Sequence, residues 1–453
     1  MRNLELKTVR SRRFAILVGW LAIGTFGLGL AVRLDAQQPD KKALVGGTLI
    51  DGLGEKPIRN SVILVRGDRI EKVGTVDSLS VPAGYEQIST EGMTVLPGLW
   101  DMHLHLLYGG YPNGGEWQRK YGAQFEKDIM PATAEQELMS GVTTARDLGA
   151  PLETILRVKK RIAKGEIPGP SMYVAGPQIA PDTSKDSTFR LVVTSPSDGK
   201  EKVRKLAEAG VDQIKVTDEE RFTVDEVRAM VEEAHAHHLR VAAHARSLGE
   251  VRRGLAAGVD EFEHINLQDA EYPADIMTTI RERTAASKLY WTPTIGLSLR
   301  LESLRENPEA IDDPSTVRGY PPDIIADMRA AVLKWQPQAV PMTREIVLRK
   351  MNQLRDAGVE FILGTDAGQT GNSHSQSMWQ ELDAWVNDLG MDPLLVIRRA
   401  TYFSAVYMGA ERDSGSVTDG KYADLIAVHG DPLKHIDVLR NPEIIIKHGH
   451  RYK

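Results

Sequence analysis

Along residues 44–50, 61–66, 69–73 and 93–96, apolar and polar positions alternate in short β-branched runs broken by glycine, proline and asparagine. Runs of this length with a period near two predict strands of an antiparallel sheet. A matching pair, residues 425–428 and 443–447, returns near the other end. Both ends of the chain are therefore predicted to build one small β-sandwich domain, from residues 43–96 and 411–453. Between them, eight apolar runs alternate with segments of helical periodicity: 98–105, 143–147, 172–175, 213–217, 240–245, 261–265, 290–294 and 360–366. Such alternation predicts an α/β chain with a parallel sheet, and eight units predict a (β/α)₈ barrel over residues 97–410. Residues 296–343 are too long for a simple connection and are predicted to form an inserted cap.

The first 42 residues follow a different pattern. Arg2, Lys7, Arg10, Arg12 and Arg13 precede an unbroken apolar run over residues 14–32. That order, basic then apolar, predicts a signal peptide or signal anchor over residues 1–36 and a polar linker over 37–42. The run exceeds the apolar core of a cleaved signal, about 7–15 residues, and approaches the roughly 20 of a membrane span. Cleavage and tethering both stay open, because Leu34-Asp35-Ala36 is a poor small-x-small cleavage site. Either outcome predicts export to the periplasm or the cell exterior.

Composition narrows the chemistry. With 42% hydrophobic and 26% charged residues in 453, the chain reads as a globular protein too large for one core. A net charge of −6 gives no basic footprint for nucleic acid. The absence of cysteine excludes disulfides and thiolate ligands, so a metal site here must use histidine, carboxylate, lysine or water.

Candidate ligands sit at the ends of predicted barrel strands. In His103-Leu104-His105, residues i and i+2 point the same way, so both imidazoles can grip one ion while Leu104 packs outward. Taken alone, the pair also reads as two ordinary histidines in an apolar strand. Four further strands end in Lys215, His244, His264 and Asp366. A lysine or aspartate buried without a partner costs several kcal/mol, so five strands ending this way point to a shared ion site. Tyr108, Arg146 and His374 lie in or beside the same presumed face and are candidate substrate contacts. The histidines at 235, 237 and 238 end a helical pattern and read as surface groups, His448-Gly449-His450 reads as a turn, and residues 109–115 lack the Gly-Lys-Ser/Thr ending of a phosphate loop.

This constellation resembles the amidohydrolase superfamily, in particular its imidazolonepropionase- and prolidase-like branch. Residues 47–52, 415–417 and 420–425 are similar to that family's flanking β-domain signatures. The resemblance implies two divalent ions, most readily zinc. It implies that His103, His105 and Asp366 bind the more buried ion, that His244 and His264 bind the second, and that Lys215, carbamylated by CO₂, bridges them. It further implies hydrolysis by a metal-bridging hydroxide, with Asp366 as general base and then general acid. A departure lies after the third strand, where residues 175–182 replace the family's frequent Gly-Gly-His run and leave the substrate pocket undefined. The leading expectation is cleavage of a dipeptide of the Xaa-Pro kind or of an N-acyl amino acid. Cyclic amides, lactones, carbamates and aromatic amides are alternatives on the same site, a metal-stabilised envelope binding protein is the alternative of another class, and a homo-oligomer is a further expectation.

Overall fold

A computed structural model describes residues 41–54, 56–181, 189–265, 268–297, 312–335 and 343–453. The predicted signal segment, most of the linker and parts of the predicted insertion lie outside them. Six strands come first: β1 (Lys41–Val45), β2 (Thr48–Leu49), β3 (Ser61–Arg66), β4 (Arg69–Thr75), β5 (Glu86–Ser89) and β6 (Met93–Pro97). Ten follow in the central region: β7 (Leu99–Leu104), β8 (Val142–Asp147), β9 (Ser171–Val174), β10 (Gln178–Ala180), β11 (Arg190–Val192), β12 (Ile214–Val216), β13 (Val241–His244), β14 (Glu261–Glu263), β15 (Tyr290–Thr292) and β16 (Glu360–Phe361). Three close the chain: β17 (Leu425–His429), β18 (Ile444–Lys447) and β19 (His450–Arg451).

The terminal strands form two sheets, in the orders β4-β3-β1-β5 and β19-β18-β17-β6-β2. Period two decides what they bury. Ile63 and Val65 of β3 join Leu44, Ile88, Val95, Leu425, Ile444 and Ile446 in one cluster, while Val62 and Leu64 face a smaller one with Ala43. The histidine pair 448 and 450 belongs to the tight turn between β18 and β19, where His448 and Gly449 both have positive φ (46° and 72°), as the glycine in the motif predicts.

The central strands are parallel throughout. They form a three-stranded sheet β7-β8-β9 and a seven-stranded sheet β11-β10-β12-β13-β14-β15-β16. Asp212 ties the two together: its amide donates to the Val174 carbonyl (2.8 Å) and its carboxylate accepts from the Val174 amide (2.7 Å). On the other side, residues just beyond β16 bond to β7. The Met102 amide donates to Leu363 (3.0 Å), the Asp366 amide to His103 (2.7 Å) and the His105 amide to Ala367 (2.9 Å). All eight predicted runs overlap observed strands, and β10 and β11 are additional. Amphipathic helices separate the strands, two of them, Val224–Ala236 and Leu248–Ala257, opened by capping boxes at Thr223/Glu226 and Ser247/Glu250. The described part of the insertion carries the helix Pro322–Lys334.

Candidate active site

The side chains that meet at the strand ends come from β7, β12, β13, β14 and the segment after β16. Asp101 fixes the first and last of these against each other, its carboxylate accepting from the amides of His103 (3.0 Å) and Thr365 (3.1 Å) and from the Thr365 hydroxyl (2.5 Å). That places Asp366 Oδ1 3.4 Å from His103 Nε2 and 3.3 Å from His105 Nε2. These three residues offer ligand atoms within 4.8 Å of one another, all buried. His264 stands beside them, its Nδ1 3.8 Å from Asp366 Oδ2 and its ring 4.7 Å from that of His103 and 4.9 Å from that of His244. Lys215 is wholly buried.

Three of the imidazoles have a partner on Nδ1. His103 Nδ1 bonds Glu263 Oε2 (2.6 Å), His105 Nδ1 donates to the Gly149 carbonyl (3.3 Å), and His264 Nδ1 bonds Thr294 Oγ1 (2.9 Å). The opposite nitrogens are left facing the site. His103 Nε2, His264 Nε2, Lys215 Nζ and both Asp366 carboxylate oxygens are buried without a hydrogen-bond partner among the described residues. Orphaned buried polar atoms are costly, and five in one place, all of ligand type, fit divalent cations. Burial pushes the pKa of His103, His244 and His264 well below the ordinary imidazole value and that of Lys215 below the ordinary amine value. Neutral imidazole is the form that binds metal. Backbone strain collects here as well: His264, Thr294 and Asp366 adopt left-handed φ angles of 70°, 48° and 57°.

A family model described as the amidohydrolase family matches residues 94–449. The chain belongs to the amidohydrolase family. Among characterised proteins it is similar to ochratoxinase of Aspergillus niger, 27% identical over 449 residues, covering 89% of this chain and 84% of that one. Among solved structures it is similar to a putative prolidase from Bifidobacterium longum, with a TM-score of 0.72, 27% identity and coverage of 92% and 95%. A Xaa-Pro dipeptidase solved with methionine in its active site gives a TM-score of 0.69, 27% identity and coverage of 91% and 100%. The fold is thus TIM-barrel-like, and the amidohydrolase is an enzyme, a hydrolase acting on carbon–nitrogen bonds.

Two expected substrate contacts of this amidohydrolase lie elsewhere. Arg146 is fully buried, and all five of its N–H groups are taken by protein: Nε by Met102 O (2.6 Å), Nη1 by Gln213 Oε1 (2.7 Å) and Glu261 Oε2 (2.6 Å), Nη2 by Glu261 Oε1 (2.8 Å) and Glu263 Oε1 (2.9 Å). It has nothing left to offer a substrate. His374 is equally buried, with Nδ1 on Glu137 Oε1 (2.7 Å) and Nε2 donating to the Tyr108 carbonyl (2.9 Å). Burial lowers its pKa to about 4 and raises that of Glu137 well above the carboxylate range, so the pair is neutral and structural. Tyr108 stays at the site, its ring 6.1 Å from that of His105 and its hydroxyl accepting from Gln118 (2.7 Å).

Four residues at the site were not among the sequence candidates. Glu263 and Thr294 orient His103 and His264, and Glu219 accepts the His244 amide through Oε1 (2.8 Å). Arg246 brings Nη2 to 4.0 Å from Asp366 Oδ2 with 45% of its side chain exposed, and its guanidinium has no hydrogen bond among the described residues. Of these, Glu263 and Arg246 carried a sequence signal, one preceding His264 and the other two residues after His244.

Proposed function

We propose that this amidohydrolase is metal-dependent and cleaves the amide C–N bond of a small substrate bearing a carboxylate, a dipeptide of the Xaa-Pro kind or an N-acyl amino acid. The observation that carries the reading is the set of buried, unpartnered ligand atoms on His103, His264, Lys215 and Asp366. In this reading His103, His105 and Asp366 hold one divalent ion, His244 and His264 hold the other, and Lys215 stands between them as a carbamate. An unmodified ammonium there offers only donors and repels cations, whereas a carbamate offers two anionic oxygens. Zinc suits a donor set rich in imidazole. When bound, such ions make water acidic and polarise a carbonyl.

The chain's own residues supply the rest. Asp366 accepts a proton from the attacking water at a carboxylate oxygen and returns it to the leaving nitrogen. The guanidinium of Arg246, free of hydrogen bonds among the described residues, supports recognition of a substrate carboxylate beside that oxygen, since a planar fork of donors matches a carboxylate bidentately. Tyr108, packed on His105, borders the same space. The similarity to a Xaa-Pro dipeptidase and to ochratoxinase supports an amide substrate. The bonds from β7 to residues 363–367 support closure as a (β/α)₈ barrel, and the cluster shared by the two terminal sheets supports a β-sandwich. The basic-then-apolar N-terminal segment supports export or tethering.

Metal analysis of the purified protein together with hydrolysis assays on a panel of dipeptides and N-acyl amino acids tests the reading. Two ions per chain and turnover on a carboxylate-bearing amide are expected. Bound metal with no turnover across the panel would favour a binding protein instead.

A further inference from the structure

Resting on this metal-dependent reading, we infer that Arg146 and Glu263 are positioning residues that set which nitrogen of His103 faces the ions. The relay is short and entirely buried. Arg146 receives both oxygens of Glu261 (2.6 and 2.8 Å), which fixes the plane of its guanidinium, and the remaining Nη2 hydrogen then holds Glu263 Oε1 at 2.9 Å. The fork is locked further by Gln213 and Met102, and the Tyr407 ring lies 5.2 Å away. With one oxygen of Glu263 pinned, its other oxygen, Oε2, meets His103 Nδ1 at 2.6 Å. The Arg146 guanidinium on its other oxygen keeps Glu263 a carboxylate, which only accepts, so Nδ1 carries the proton and Nε2 keeps its lone pair. Nε2 is the buried nitrogen without a partner, 3.4 Å from Asp366 Oδ1.

Charge points the same way. One guanidinium faces two carboxylates in this layer, and the bidentate pair is with Glu261, so the charge of Glu263 is directed at His103 and the cations beyond it. A carboxylate behind a metal-ligating histidine fixes ring orientation and tautomer, and its loss costs about 10- to 100-fold in metal affinity. His105 and His264 rest on neutral oxygens instead, of Gly149 and Thr294. Of these three, His103 is the one whose orientation depends on an ion pair.

Glu263→Gln tests the relay with almost no change of shape. If the amide oxygen faces His103, the amide nitrogen faces the donor Arg146. If it turns round, the amide nitrogen donates to Nδ1, and the proton of His103 moves to Nε2, where it blocks ligation. The expected result is a folded variant in which one of the two zinc ions, titrated against a competing chelator, binds about 10- to 100-fold more weakly. Arg146→Lys, which keeps a charge but loses the fork, is expected to weaken the same ion by a smaller factor. A folded Glu263→Gln protein binding both ions as tightly as the wild type would overturn the relay. Uptake of no metal by the wild type would overturn the metal reading itself. Where Glu263→Gln does not fold, ¹⁵N shifts of His103 in the metal-free wild type decide the point: a proton on Nδ1 supports the relay, and one on Nε2 overturns it.

Discussion

At the scale of single residues, the proposed function gives the side chains at the strand ends two roles, holding ions and meeting substrate, and two substitutions separate them. Asp366 has both oxygens unpartnered and lies within 3.4 Å of His103 and His105. Asp366→Asn keeps one oxygen ligand and removes the base, so metal content is expected to persist while kcat falls by about 10²- to 10⁴-fold. Metal analysis beside steady-state kinetics checks this, and an unchanged kcat removes Asp366 from proton transfer. Arg246→Met removes a half-exposed guanidinium from the mouth and leaves the buried set intact. A hydrogen bond to a charged group contributes about 1.5–3 kcal/mol, so KM for a carboxylate-bearing amide is expected to rise roughly 10-fold or more. The same substrate with its carboxylate amidated should show no difference between variant and wild type. The metal-type residues were legible in the sequence because a histidine, lysine or aspartate at the end of an apolar strand is costly to bury unless something binds it. Arg146 and His374 were not legible in the same way. Each ends up with every polar atom bonded inside the protein, and the partners, Glu261, Glu263 and Glu137, lie on other elements that the local sequence does not reveal.

Elements hold these residues through contacts that alternate with the ladder. The strand predicted over 360–366 bonds to β15 only through its first three residues, Glu360, Phe361 and Ile362, because residues 363–366 turn their backbone bonds to β7 instead. The sequence pattern located the run correctly, but it says nothing about which neighbour takes each bond. β10 and β11 escaped prediction because three residues are too few to show a period. The end of β15 has its own anchor. Glu381, on the helix Ser377–Asp383, accepts the amides of Ile295 (3.0 Å) and Gly296 (2.5 Å) and the Trp385 indole N–H (2.7 Å), next to the strained Thr294 that bonds His264. Burial raises the Glu381 pKa to about 7 from an ordinary 4.5. A carboxyl whose folded pKa is raised gives stability that is complete below about 4.5 and is lost as pH rises through about 7. The loss is on the order of 3 kcal/mol for a shift of this size. Glu381→Gln cannot titrate, and its amide nitrogen meets a donor at Ile295 or Gly296, so the variant should be less stable than the wild type at pH 5. Urea unfolding of the metal-free proteins should show that gap narrowing between pH 5 and pH 7.5. A gap that stays constant would mean that Glu381 keeps its charge at pH 5.

The chain crosses between its two parts twice, from β6 into β7 and again on its return to β17, and the first crossing is a single residue long. β6 ends in the terminal sheet at Pro97, Gly98 follows, and β7 begins in the TIM-barrel-like region at Leu99. No other residue fits at 98, since a Cβ there would lie 2.1 Å from Thr143 Oγ1. The Gly98 amide donates to Asp424 beside β17, and Lys447 of β18 reaches the Gly169 carbonyl before β9 (2.7 Å). The described residues accordingly form one compact unit. The proposed ion ligands are spread from His103 to Asp366 across this unit, so bound metal is expected to stabilise all of it rather than one part. A ligand that binds only the folded state at about 1,000 times its Kd adds roughly 4 kcal/mol. Removing metal with a chelator should therefore lower the temperature of a single cooperative transition, monitored in parallel by tryptophan fluorescence and far-ultraviolet circular dichroism, and added zinc should restore it. Because Trp100, Trp117, Trp291 and Trp385 are all buried in the central region, fluorescence reports on the barrel while circular dichroism also weighs the terminal sheets. Two separated transitions, with only the fluorescence-detected one responding to zinc, would show that the terminal sheets unfold on their own and that Gly98 is a flexible link rather than a rigid joint.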